Sequence, residues 1–149
     1  MLAHMKRTFL WLHFVLSALI AVLVFLQAYL ITAYVSGAGE DALDAHGFVG
    51  FAIIHPAEAL VFLTALVAWW RNWTMIGLSL FLILFGTVQI FLAPPDEDPA
   101  SGWVHGLHGL FALLVMVTAA WIAWRDTPAL GLRQPGAGAA GTAPPRSDL

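Results

Sequence analysis

The sequence predicts an all-α fold, an integral membrane four-helix up-and-down bundle made of two tandem hairpin repeats. Three observations predict it. The chain is 60% hydrophobic and 10% charged, where a soluble domain carries roughly a quarter charged residues. Four apolar runs, at about 8–34, 47–70, 74–92 and 103–124, reach or nearly reach the roughly 20 residues that cross a bilayer as a helix. The basic residues all fall in alternate connecting segments, as membrane topology requires.

The first run follows Lys6 and Arg7. Its apolar part exceeds the roughly 7–15 residues of a signal-peptide core, so a spanning helix that is retained is expected. The segment 35–46 after it holds Glu40, Asp41 and Asp44. After the second run comes a short link with Arg71, then the third run, then an acidic segment 93–102 with Asp96, Glu97 and Asp98. The fourth run ends at Arg125. With the termini inside, the inner segments hold Lys6, Arg7, Arg71, Arg125, Arg133 and Arg146, and the outer ones hold no cation. Trp11, Trp69, Trp70, Trp73, Trp121 and Trp124 then mark the inner interface and Trp103 the outer one. Loops this short make consecutive helices antiparallel neighbours. The transmembrane domain is therefore expected over 1–126. The stretch 127–149, rich in Gly, Ala and Pro, reads as a disordered cytoplasmic tail.

Several functions are excluded. No cysteine is present, which removes disulfides, thiolate metal sites and a cysteine nucleophile. No Ser-His-Asp, P-loop or Gly-rich nucleotide fingerprint is visible. Six scattered basic residues make a nucleic-acid partner implausible. Without a catalytic motif, whether the chain is an enzyme stays open, and a non-enzyme is favoured.

The hairpins echo one another. Gln27 lies 19 residues before His46-Gly47, and Gln89 lies 19 residues before His108-Gly109. A tandem repeat implies a pseudo-twofold axis along the membrane normal. That axis would set His46 and His108 at equal depth near the outer side, on diagonal helices. Paired imidazoles across a bundle are the usual ligands of six-coordinate haem, here a b-type haem. Gly47, Gly50, Gly106 and Gly109 would give a flat macrocycle clearance. The competing reading is unliganded interfacial histidines. Gln27 and Gln89 need partners inside a membrane; they serve either as outer supports of the ligand histidines or as inter-helix glue. His105, three residues before His108, reads as an alternative ligand, a propionate contact or a surface histidine.

His55 and Glu58 fall near mid-bilayer, where ionisable groups are costly and point to function. Nine α-helical residues advance 900°, so His55 should face opposite to His46, toward a lateral groove or a second protomer. The pair reads as a proton relay, a homodimer seal, or a structural pair with Glu58 protonated. The order H-P-A-E is wrong for a dimetal bundle's Glu-x-x-His. His4 and His13 receive no chemical role.

The run F-L-Q-A-Y-L-I-T-A-Y-V-S-G-A-G…H-G with its echo T-V-Q-I…H-G resembles a set of small four-span membrane proteins of unknown function, mostly actinobacterial. The resemblance covers roughly 8–125 and implies the bundle and a bacterial cytoplasmic membrane, but little about activity. More distantly, the chain is similar to one four-helix half of haem A synthase, whose bundles pair histidines on their second and fourth helices. That likeness implies haem ligation by His46 and His108. It does not imply synthase activity: residue 43, where that family has glutamate, is Leu43, and the second bundle is missing.

Three readings result. The first is a four-helix membrane protein binding one haem b for electron transfer, sensing or haem handling. The second is a non-catalytic accessory or oligomeric subunit without cofactor, partnered by lipid and by a second copy or another membrane protein. The third is a small transporter or proton-path component.

Overall fold

The computed structural model describes residues 2–93 and 101–133. Among them the architecture is all-helical: α1 (Leu2–Ala33), α2 (Glu40–Phe48), α3 (His55–Ala68), α4 (Trp73–Phe91) and α5 (Ser101–Ala129). A wide π-helical turn, Val49–Ile54, joins α2 and α3 into one rod running Glu40–Ala68. The four rods are each long and apolar enough to cross a membrane. The first packs on the second and fourth, and the third likewise, so neighbours are sequential and the second and fourth rods are diagonal.

Each boundary has a local cause. The chain leaves α1 through a π turn at Tyr34–Ala38 and reverses at Gly37 and Gly39, whose φ values of 93° and 90° lie in the left-handed region. The acidic segment after them is helical, so the second rod starts at Glu40, earlier than the hydropathy pattern indicates. Glu40 and Asp41 occupy its first turn, where the helix dipole favours anions. Between the second and third rods, Arg71 adopts φ 69° and Asn72 caps α4 by accepting from the Met75 amide at 3.3 Å.

At the far end α5 continues through Pro128 to Ala129, past the residue-127 limit expected for the tail. Pro128 has no N–H for the Trp124 carbonyl, and the Thr127 hydroxyl donates to that carbonyl instead at 2.7 Å. The helix stops in a Schellman turn. Leu132 N donates to Thr127 O, Gly131 N donates to Pro128 O, and Gly131 sits at φ 77°. The remainder of the expected tail, 134–149, and most of the second acidic loop, 94–100, lie outside the described residues.

The interior is lined by Ile20, Val24, Ile54, Val61, Met75, Leu82, Val115 and Ile122. Phe25, Phe48, Phe51, Trp73 and Trp103 stand outward and exposed. This inside-out distribution suits rods whose outer faces meet acyl chains.

Candidate functional site

Buried polar side chains occupy three levels of the bundle. At 1.5 Å per residue along α4, Ser79 and Gly86 are about 10 Å apart and Gly86 and Gln89 about 5 Å.

The level nearest the loop-rich end holds the two His-Gly histidines. Their ring centres lie 6.1 Å apart across the bundle, inclined at 53°. His46 Nδ1 donates to the Gln27 carbonyl at 3.2 Å, and His108 Nδ1 donates to the Gln89 carbonyl at 3.1 Å. The 19-residue spacing therefore produces the same contact in both hairpins. Because a carbonyl can only accept, Nδ1 carries the hydrogen in each ring, and in a neutral imidazole Nε2 keeps its lone pair. Among the described residues neither Nε2 has a partner. The Gln27 side chain returns the contact, Nε2 donating to the His46 carbonyl at 3.0 Å. Both glutamine side-chain oxygens, Gln27 Oε1 and Gln89 Oε1, are buried and without a hydrogen bond.

The other residues expected at this site divide. Gly50 presses against the Gln27 amide, so a larger residue would disturb it. Gly47, Gly106 and Gly109 have no neighbouring atoms where a Cβ would stand. His105 is exposed.

On the second level His55 Nδ1 lies 3.1 Å from Glu58 Oε2, within hydrogen-bond distance. The expectation that His55 faces away from the bundle fails for a geometrical reason. The π turn inserts about one residue, so nine positions advance like roughly eight, or 800°, leaving His55 some 80° from His46 rather than 180°. Pro56 explains the turn. It cannot donate to the carbonyl four back, and the bonding shifts to His55 N onto Gly50 O. Glu58 is 1% exposed and its carboxylate sits directly over Gly86, in the space a Cβ would fill. Glu58 thus faces the neighbouring rod, while the His55 side chain stays 27% exposed.

The third level was not anticipated. His13, Ser79 and Asp126 are completely buried, and each comes from a different rod. His13 Nδ1 lies 2.7 Å from Asp126 Oδ2, and His13 Nε2 lies 3.1 Å from Ser79 Oγ. Trp69 Nε1 donates to Asp126 Oδ1 at 2.9 Å, so all four rods meet here. Ser79 Oγ donates its only hydrogen to the Met75 carbonyl at 2.8 Å. It must therefore accept from His13 Nε2–H, and one further proton is shared between Nδ1 and Oδ2. The pair as a whole is neutral, which is what a low-dielectric interior favours.

Ser79, His13 and Asp126 are arrayed like a nucleophilic triad, but they cannot act as one. Ser79's proton points away from the imidazole, the ring nitrogen facing it already carries hydrogen, and no part of the three is exposed. Their role is to clamp the bundle. The buried hydroxyl of Ser17, one turn along α1 from His13, has no partner.

No group of three or more metal-ligating side chains occurs among the described residues. Comparison with family models, curated proteins and solved structures yields no match.

Proposed function

We propose that this chain is a four-span protein of the bacterial cytoplasmic membrane, with both termini inside, that binds one b-type haem between His46 and His108. The observation that carries the reading is the convergence of the two rings, each tied through Nδ1 and each with Nε2 unpartnered. A metal held by the free nitrogen of each ring at about 2 Å would set the ring centres about 6 Å apart. The observed 6.1 Å fits that spacing. Ligating histidines characteristically donate their other N–H to a carbonyl or carboxylate, which fixes tautomer and ring orientation. The backbone carbonyls of Gln27 and Gln89 fill that position. The orphaned glutamine oxygens supply acceptors for a ligand substituent or a bound water.

Held by His46 and His108, a haem would supply reversible one-electron transfer. The chain's part is to present two pre-oriented nitrogens from separate hairpins and to surround them with apolar rods. That arrangement suits electron transfer, sensing or haem handling. The matched Gln–His contacts also support reading the hairpins as diverged copies of one unit.

The test is a reduced-minus-oxidised spectrum of the protein purified from haem-replete cells. An α-band is expected in the wild type and in His4→Ala, and its loss in His46→Ala and His108→Ala, with helical content by circular dichroism unchanged. A folded, colourless wild-type protein refutes the proposal.

A further inference from the structure

We propose that the end of the bundle bearing the termini carries a site for the phosphodiester group of an anionic phospholipid, held by Arg125 and Arg133 between Trp69 and Trp124. The inference rests on the membrane reading and is independent of haem.

A groove of about 270 Å³ opens there, lined by Trp69, Trp124, Arg125, Pro128, Ala129 and Arg133. It falls below the roughly 300–1,000 Å³ that encloses a drug-sized ligand, so it admits a headgroup whose chains stay outside.

The groove is constructed by identifiable contacts. The Schellman turn at Gly131 sends the chain back along α5, and the Arg133 guanidinium lies 4.1 Å from the centre of the Trp124 ring. Stacking holds the flat face of the cation, while its N–H edge remains available to fork onto two oxygens of one phosphate. Trp124 is itself braced by Trp121, ring centres 4.9 Å apart. Trp69 is fixed by its bond to Asp126.

The charge of the groove is uncompensated. Asp126 directly follows Arg125, yet it is fully buried with both oxygens committed to His13 and Trp69. Among the described residues neither arginine has a carboxylate within salt-bridge distance. Two exposed guanidiniums therefore face a groove walled by indoles, at the end that the charge pattern assigns to the cytoplasmic side. The anionic lipids of that leaflet meet basic pockets between helices at this depth. A free phosphate shares the anionic chemistry but gains nothing from the indole walls, which face the headgroup and acyl boundary.

Native mass spectrometry of the detergent-solubilised full chain tests the proposal, with phosphatidylglycerol, phosphatidylcholine and inorganic phosphate as separate probes. The wild type should retain one phosphatidylglycerol in preference to phosphatidylcholine by about tenfold or more. The double variant Arg125→Ala/Arg133→Ala should lose that preference, and Arg71→Ala, an exposed cation at the same end, should keep it. Equal retention of the two lipids overturns the site. So does a loss in Arg71→Ala as large as in the double variant, which would mean diffuse charge attraction. Displacement by submillimolar inorganic phosphate would assign the groove to the free anion and overturn the lipid assignment. Circular dichroism of each variant separates lost binding from lost fold. Failure of the membrane reading shows separately, as a protein that does not sediment with membranes.

Discussion

Removing the carboxylate of Asp126 strips the acceptor from two donors at once, the fully buried His13 Nδ1–H and the partly buried Trp69 Nε1–H. A buried donor left without a partner costs about 1–3 kcal/mol. Two such donors set a range of roughly 2–6 kcal/mol, reduced by relief of the acid's own burial. Losing one partner of a buried ionic pair costs about 3–5 kcal/mol in water-soluble proteins. Against this, side-chain hydrogen bonds between membrane helices average only about 0.6 kcal/mol, with a maximum near 1.7, because the unfolded chain in lipid also finds partners. Asp126 should fall at the upper end, since it joins three rods and its contacts are short and water-free. The expected loss for Asp126→Ala is about 3 kcal/mol, with a His13–Asp126 coupling of about 1.5 kcal/mol in a double-mutant cycle. Unfolding in mixed detergent–SDS micelles, followed by far-ultraviolet circular dichroism, measures both. Asp126→Asn gives an internal control: its amide can accept from only one of the two donors, so about half the loss should persist. A coupling below about 0.5 kcal/mol would show that His13 and Asp126 do not hold the rods together, and the clamp would have to be abandoned.

Gly86→Ala should destabilise the bundle by about 1–3 kcal/mol, because the new methyl occupies the space of the Glu58 carboxylate. Combining it with Glu58→Ala should cost much less than the two single losses added together, and strict additivity in the same assay would contradict the contact. The cysteine-free chain also allows a clean topology test. Ser36→Cys should react with a membrane-impermeant maleimide from outside intact spheroplasts, and Thr74→Cys only after permeabilisation; the reverse pattern would invert the orientation.

The rods were legible in the sequence because long apolar runs and segregated charges are properties of contiguous residues. The diagonal histidines were legible because a 19-residue spacing repeats. The orientation of His55 and Glu58 was not, since one π turn shifts everything beyond it by about 100° and only Pro56 hints at where that turn falls. The His13–Ser79–Asp126 clamp was still less visible. Asp126 follows Arg125 and reads as one more charge at a helix end, His13 trails the N-terminal cations, and Ser79 is one of three hydroxyl residues in an apolar helix, with Thr74 and Thr87. Their contacts span 113 and 66 residues of chain. One signal was available: His13 and Ser17 stand a helical turn apart, a polar notch on an otherwise apolar α1 that asks for a partner on another rod.

These levels also bear on how the molecule divides structure from chemistry. At the lower two, His13, Ser79, Asp126, Trp69, His55 and Glu58 hydrogen-bond within the chain, and the acids, which bear the highest burial cost, are at most 1% exposed. Glu58 is satisfied within the chain, while His55 keeps exposed surface and Ser17 Oγ has no hydrogen bond. The upper level keeps the most unused capacity, in two imidazole nitrogens without a partner among the described residues and two orphaned amide oxygens. Ser17 Oγ is a single buried hydroxyl without a partner, whereas the upper level gathers two such amide oxygens beside two converging rings. That grouping, more than the presence of histidine, is why we propose the chemistry between His46 and His108.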